Sequence, residues 1–243
     1  MRTLLESKPA PERLEDVVIP VYYHVTFSNR TLEGGHISDE QVQSAFDVLV
    51  NGFQGTGFTF KLQEIKRHFN PTWFTLVEYN NPATEFIAIQ MKQQTRVGGP
   101  ETLNIWTVGM TRAYGYSQFP WDYSKAPYSD GVVMNYYVIP GNGHQQRFGK
   151  SLVHEVGHWL GLYHTFEGSC FGSGDYVSDT PAQYGPTDTL SGCGLRDTCP
   201  NLPGLDPVSN YMDYSSDVCL FDFTEGQKDR MWSYYNAIRA VKA

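Results

Sequence analysis

The residues with the clearest chemical meaning lie in one short window, from His154 to His164. The window reads HEVGHWLGLYH, so three of the seven histidines follow the spacing H-E-x-x-H-x-x-G-x-x-H. Chance would produce this pattern in a chain of this length and composition with a probability on the order of 10⁻⁵. Imidazole nitrogens are common zinc ligands, and this spacing is typical of zinc sites that perform hydrolysis.

Helical geometry explains how these residues would share one metal ion. Residues four apart lie on one helix face, so His154 and His158 direct two imidazole nitrogens at one ion. Glu155 projects beside the ion and can accept a proton from a coordinated water without displacing it. Gly161 can adopt a positive φ and end the helix, so that His164 approaches from another direction. Three neutral imidazoles leave one tetrahedral position open, as in catalytic zinc sites.

Other metal sites fit the window less well. A structural zinc site fills all four positions and often uses thiolates, whereas non-haem iron usually takes two histidines and a carboxylate. Zinc is therefore the predicted ion. The remaining histidines are predicted to be ordinary core or surface residues, and they are His24, His36, His68 and His144.

Composition restricts the class of protein that carries this site. The 243 residues are 40% hydrophobic and 14% aromatic, which suffices for one large domain or two small ones. The net charge of −8 argues against nucleic acid or an anionic membrane as partner and favours a basic partner or a metal ion. No window approaches the roughly 20 apolar residues of a membrane span.

The start of the chain and the cysteines bear on its compartment. Residues 1–15 are polar, lack the apolar run of about 7–15 residues of a signal peptide, and are predicted to form a tail before a single domain, 16–243. All four cysteines lie in the last third without a C-x-x-C pair. This favours two disulfides, and so an oxidising compartment, over a thiolate zinc site or four free thiols. Spacing leaves all three connectivities open.

The pattern of elements predicts a mixed α/β fold. Residue types and alternation predict strands at 17–27, 58–65, 103–108 and 131–138. Capping boxes and helical spacing predict helices at 39–53, 84–95 and 151–160, and a last helix from 224 through 238. Strands that alternate with helices indicate a sheet covered by helices. Residues 165–222 show little periodicity, so disulfides or bound ions must stabilise them.

The histidine window, together with Trp159 and the segment NYMDY at 210–214, resembles the metzincin zinc endopeptidases. Within them it is similar to the pappalysin, or cytophagalysin, family and especially its small secreted fungal and bacterial members. The resemblance runs from about residue 17 to the last helix and is densest over 150–223. It implies a mixed, mostly parallel, twisted sheet in an upper subdomain, 16–161. An irregular, disulfide-stapled lower subdomain, 162–243, would end in a helix.

The resemblance also implies roles for residues outside the window. Met212 would form the Met-turn beneath the metal, and Tyr214 would donate a hydrogen bond to the developing oxyanion. Calcium ligands would be supplied by the acidic, turn-forming segment 172–181. They would be Asp175, the carbonyl of Val177 and Thr180, with Asp179 as an additional ligand.

The family pattern further implies disulfides Cys170–Cys199 and Cys193–Cys219. Some bacterial relatives favour a basic residue after the cleaved bond, which needs an acid in the pocket wall, and Asp217 is the nearest candidate. Apolar residues nearby suit an apolar pocket equally, so specificity stays open; they are Val218, Phe221 and Phe223. The family's latency cysteine has no counterpart before Cys170, and the chain is therefore predicted to be a mature form without signal or pro-segment.

The resulting hypothesis is a secreted, monomeric zinc endopeptidase that hydrolyses internal peptide bonds of proteins. Glu155 would be the general base and acid, and Tyr214 would stabilise the oxyanion. The substrate would lie extended along an exposed sheet edge, placed at the fourth strand, 131–137. Two other classes of protein are alternatives to this hypothesis. A binding module that keeps zinc for stability would not need Glu155 and Tyr214, and a hydrolase of non-peptide amides would use the same zinc ligands.

Overall fold

The computed structural model describes residues 16–145, 147–188 and 192–240. The predicted tail, 1–15, lies outside this range. In the described residues five strands form one sheet; they are β1 (Val17–Phe27), β2 (Phe58–Phe69), β3 (Leu103–Val108), β4 (Gly115–Ser117) and β5 (Val132–Asn135). The α-helices are α1 (Asp39–Gly52), α2 (Pro71–Leu76), α3 (Glu85–Thr95), α4 (Lys150–Trp159) and α5 (Glu225–Tyr234). No helix in these ranges is both long and apolar enough to cross a membrane.

The sheet has the strand order β2-β1-β3-β5-β4, with β4 antiparallel to β5 and every other pair parallel. The prediction of a mixed, mostly parallel sheet is confirmed. Every residue of β3 is buried, as expected for a parallel strand covered on both faces. Helices α1 and α4 cover one face, where Ile105 of β3 lies in the larger core, while Trp106 faces a smaller core with α2 and α3.

The predicted elements agree closely with the observed ones, with four differences, the first of which is that strand β4 was not predicted. Strand β2 continues to Phe69, and helix α2 was not predicted, although Asn70 caps it and Pro71 occupies its first turn. The segment predicted as a strand at 131–138 forms β5 only to Asn135 and continues as a 3₁₀ turn, Tyr136–Val138.

Disulfides stabilise the irregular region after the histidine window. Cys170 pairs with Cys199 and Cys193 with Cys219, which confirms the connectivity that the family resemblance implied. The described part of 165–222 contains no helix or extended strand, as predicted from its lack of periodicity. It rejoins regular structure at the capping box that opens α5, formed by Thr224 and Gln227.

The chain after α5 closes the end of helix α4. The π-helical turn Tyr235–Arg239 follows α5, and Arg239 is fully buried. Its guanidinium pairs with both carboxylate oxygens of Asp130, at 3.1 and 3.2 Å, and donates through Nε to the carbonyl of Trp159 at 2.9 Å. It also lies 3.4 Å from the centre of the Trp159 ring. This cluster fixes α4 against the sheet.

Candidate active site

Helix α4 and the turn after it bring the three histidines of the window together. His154 and His158 project from one face of α4 and are buried. At Gly161, φ is +102°, and a Cβ at this position would come within 2.5 Å of the Tyr234 ring. Two independent constraints therefore require glycine here: the positive φ and the close packing of the Tyr234 ring. The reversal of the chain places His164 opposite the helix.

The Nε2 atoms of the three histidines converge. The Nε2 atom of His158 lies 3.1 Å from that of His154 and 3.1 Å from that of His164. Two nitrogens bound to one tetrahedral zinc at 2.0–2.1 Å stand about 3.3 Å apart. The separations match this value, and in the described residues this triad is the group of histidine, cysteine or acidic side chains that meets the spacing of a metal site.

Backbone carbonyls fix the tautomers of two of these rings. His154 Nδ1 lies 2.7 Å from the carbonyl of Tyr211, and His158 Nδ1 lies 2.7 Å from that of Leu162. A carbonyl only accepts, so each Nδ1 carries the proton and each Nε2 presents a lone pair. Burial lowers the pKa of His158 to about 4 and that of His154 well below 6.5. Neutral imidazoles are the form that binds a metal.

Met212 lies directly beneath helix α4. It is fully buried, and its sulfur packs so closely that a Cβ on Gly157 would come within 2.5 Å of it. The backbone carbonyl of Met212 accepts a hydrogen bond from Thr165, next to His164. Met212 thus forms an apolar support under the histidines. The Met-turn role that the resemblance implied stays a prediction.

Glu155 lies in the cleft beside the histidines and packs against the sheet edge. A Cβ on Gly115 of β4 would come within 2.8 Å of the Glu155 Cγ and 3.0 Å of its Oε1. Any larger residue at 115 would therefore press on this carboxylate. Burial raises the pKa of Glu155 to about 8.

Tyr214 closes the other side of the histidine group. Its hydroxyl oxygen lies 3.1 Å from His164 Nε2, and the side chain is 43% exposed. Its ring also contacts that of Phe166, which stacks on His164. Burial is the main cause that raises the Tyr214 pKa to about 12.

A cleft of about 730 Å³ runs past these residues between β4 and the segment after Met212. Strand β4 is the sheet edge on this side, so the placement of the edge at 131–137 was wrong: β5 lies between β3 and β4. Tyr114 and Gln118 hydrogen-bond to the β5 side. By antiparallel alternation the backbone groups of Gly115 and Ser117 point outward.

The segment predicted to bind calcium contains buried oxygens without hydrogen-bond partners. Among the described residues, neither Asp175 Oδ2 nor the Thr180 hydroxyl, both buried, has a hydrogen-bond partner of normal geometry, although the Thr180 side chain is close enough to lower the Asp175 pKa; Asp175 Oδ1 accepts from the backbone of Val177. Burial raises the Asp175 pKa to about 7. Asp179 has another role, because its carboxylate accepts from Thr224 Oγ1 and Gly226 N at the start of α5.

The residues considered for the specificity pocket are distributed differently from the expectation. Asp217 is only 1% exposed, is paired with Arg147, and is not among the cleft-lining residues, so it is not an open acid. Phe223 belongs to the core, and Val218 and Phe221 are exposed outside the cleft. Leu220 lines the cleft instead.

Two residues that contribute to the cleft escaped sequence reasoning. Gly115 lies on a three-residue strand, which is too short to show an alternating pattern of apolar residues. The neighbouring residues in the sequence do not indicate a contact with Glu155. Arg147 lies just before α4 but binds residues nearly 70 positions later, so its role depends on tertiary structure.

Solved structures define the class of this fold and site. The chain matches mature mirolysin of Tannerella forsythia, solved in complex with a cleaved peptide, at a TM-score of 0.78 and 29% identity. The match covers 93% of each chain. A promirolysin mutant matches equally well, at a TM-score of 0.78 over 98% of this chain and 86% of that one. The fold and the histidine triad are those of a zinc metalloendopeptidase of the metzincin class.

Sequence comparison then gives the family. The profile of peptidase M43, described as pregnancy-associated plasma protein-A, matches residues 102–236. An extracellular metalloprotease of Colletotrichum graminicola is 40% identical over 92% of this chain and 78% of the relative. Extracellular metalloprotease 1 of Coccidioides posadasii is 40% identical over 98% of this chain and 84% of the relative. The chain belongs to the M43, or pappalysin, family.

Proposed function

We propose that the chain is a secreted endopeptidase that holds one zinc ion through His154, His158 and His164 and cleaves internal peptide bonds of proteins. The observation that carries this proposal is the convergence of three Nε2 lone pairs beside Glu155, in a cleft bordered by an open strand edge. When bound, zinc supplies a Lewis acid that activates water near neutral pH and polarises a carbonyl.

Glu155 is the proposed general base and acid. Its position next to His154 on α4 directs it beside the metal ligands, and it does not belong to the triad itself. A zinc cation bound beside Glu155 would lower the pKa that burial raises, so that the ionised carboxylate could accept the proton of the attacking water and then deliver it to the leaving amine. The tight contact with Gly115 leaves the carboxylate little freedom, and precise placement of such a group contributes strongly to rate.

Tyr214 is the proposed hydrogen-bond donor to the developing oxyanion. Its hydroxyl lies 3.1 Å from His164 Nε2 and is partly exposed to the cleft. From this position the O–H group can reach the carbonyl oxygen of the bond being cleaved. Loss of one such donor typically lowers kcat by 10²–10³.

The open edge of β4 is the proposed substrate-binding strand. The outward backbone groups of Gly115 and Ser117 can pair with an extended peptide, which would add a sixth strand to the sheet. Backbone pairing is independent of side chains, so many protein sequences can bind. Unfolded segments should be cut faster than folded ones, because only they can extend along the edge.

Asp175, Thr180 and the carbonyl of Val177 are the proposed calcium ligands. The two unpartnered oxygens support this proposal, because a buried polar atom without a partner is unfavourable and calcium prefers oxygen ligands. Isothermal titration of calcium into the zinc-loaded protein should show one site. Replacing Asp175 by asparagine should abolish it, whereas unchanged binding would contradict these ligands.

Extracellular localisation and a monomeric state complete the proposal. The fungal relatives are named extracellular metalloproteases, and two disulfides are suited to an oxidising compartment. Light scattering of the purified enzyme should give the mass of one chain.

The central experiment compares the wild type with Glu155→Ala and Glu155→Gln. Metal content, cleavage of denatured casein and product termini are measured for each protein. We expect about one zinc per chain in all three and cleavage only by the wild type. Bound zinc without any peptide cleavage by the wild type would contradict the peptidase function. It would instead favour a binding module or, if a small amide is cleaved, a hydrolase of non-peptide substrates.

A further inference from the structure

A buried cation forms part of the cleft wall. Arg147 precedes helix α4, its side chain is 5% exposed, and it lines the same cleft as Glu155 and Ser151. Its guanidinium lies 5.0 Å from the ring centre of Tyr114, another residue of this wall. The positive charge is therefore close to the place where substrate side chains would enter.

The guanidinium is held rigidly from the segment after Met212. Nη1 donates to the carbonyl of Ser215 at 2.7 Å, and Nη2 donates to that of Tyr214 at 2.9 Å. Nη1 also forms an ion pair with Asp217 at 3.2 Å. These contacts fix the charge in one position, because a planar guanidinium bound at two of its nitrogens cannot swing away.

The ion pair neutralises Asp217, which does not itself line the cleft, so that the guanidinium is the member of the pair that faces it. One oxygen of Asp217 faces Arg147, and the other accepts the backbone N–H groups of Phe148 and Lys150 at 2.6 and 2.8 Å. The carboxylate is 1% exposed and has no remaining contact to offer a substrate. A lysine or arginine side chain entering the cleft here meets a fixed cation whose counter-charge is already used.

Arg147 also retains an unused donor. Its Nε–H group is buried and has no hydrogen-bond partner among the described residues. Because this atom is shielded from solvent, a substrate carboxylate or amide oxygen reaches it only if the cleft wall moves on binding, whereas an ammonium group cannot satisfy it in any position.

We propose that Arg147 determines the charge specificity of the cleft: it neutralises Asp217 and selects glutamate or glutamine over lysine or arginine at the substrate position beside Ser151 and Leu220. This inference rests on the proposed peptidase function. The discrimination arises from repulsion of the wrong side chain as well as from attraction of the right one.

Products of denatured casein, identified by mass spectrometry, first locate the substrate position at which the enzyme shows a side-chain preference. Three peptides that differ only there, with Gln, Glu or Lys, are then compared by kcat/KM. The wild type should cleave the Gln and Glu peptides at least tenfold faster than the Lys peptide. Each enzyme serves as its own control, since the result is a ratio between peptides.

Variants at both partners give opposite expectations. Arg147→Gln exposes the Asp217 charge and should raise the Lys-to-Gln ratio at least tenfold. Asp217→Asn leaves the cation unbalanced and should lower that ratio further. The double variant carries neither charge, avoids an unpaired buried ion, and should bring the ratio close to one.

A role confined to bracing Tyr214 predicts a different result. Arg147→Gln would then slow all three peptides equally, and unchanged ratios would overturn the proposal. Preferential cleavage beside lysine or arginine by the wild type would also overturn it, while leaving the peptidase function intact. Failure of the zinc-loaded wild type to cleave any peptide would overturn the proposed function, and this inference with it.

Discussion

Gly115→Ala tests the position of Glu155 without altering any proposed catalytic group. The added Cβ would lie 2.8 Å from Glu155 Cγ, whereas carbon atoms pack at about 3.5–4.0 Å. The carboxylate or the strand must therefore move by about 0.7–1.2 Å. Because a misplacement of about 1 Å can lower a rate by about 10²-fold, we expect kcat/KM to fall by about two orders of magnitude.

The assay follows cleavage of a quenched-fluorescent peptide, with zinc content measured on the same sample. Gly194→Ala is the matched control, because its added Cβ would meet no atom within 4 Å. Glu155→Gln gives the rate that remains without the general base. If Gly115→Ala binds a full equivalent of zinc and keeps activity within about threefold of the wild type, the proposed coupling between β4 and Glu155 is refuted.

Three further predictions concern stability. Arg239→Met leaves Asp130 without its main partner and should lower the free energy of unfolding by about 3–5 kcal/mol, measured by urea denaturation; a loss under 1 kcal/mol would contradict this role. Burial lowers the pKa of His24 to about 3. Below about pH 6.5 the unfolded state therefore binds more protons than the folded state, and the free energy of unfolding decreases as the pH is lowered. His24→Gln should reduce the loss between pH 7 and pH 5 by about 2 kcal/mol, and an equal loss in both proteins would contradict it. Replacing Cys193 and Cys219 together by serine opens a 26-residue loop and should cost about 3–4 kcal/mol; unchanged thermal unfolding would show that this bond adds nothing.

Local sequence patterns were sufficient where structure depends on neighbouring residues. The strand over 17–27 and the strand over 103–108 were predicted with their observed bounds, because β-branched and aromatic runs mark buried parallel strands. The capping boxes at Ser38 and Thr224 start helices as predicted. The histidine spacing alone was sufficient to predict that the three rings converge, since a helix and one glycine turn bring them together.

Contacts between distant segments could not be read in this way. The edge strand β4 has three residues, so its pairing with β5 had no periodic signal, and the edge was assigned to the wrong strand. Asp217 was expected to be an open acid because its partner, Arg147, lies 70 positions earlier. Whether a charged residue is free or paired depends on the whole fold.

The contact between Arg239 and the end of helix α4 also bears on the order in which parts of the chain can fold during synthesis. Arg239 is 80 residues beyond Trp159, so a ribosome releases the histidine helix well before the residue that secures it. Until then Asp130 has, among the described residues, one longer ion pair with Arg96 at 3.5 Å beside its hydrogen bond from Trp159 Nε1 at 3.2 Å, and a poorly compensated buried carboxylate disfavours the packed state. Stable closure of the histidine helix therefore requires a residue that follows the helix by 80 positions.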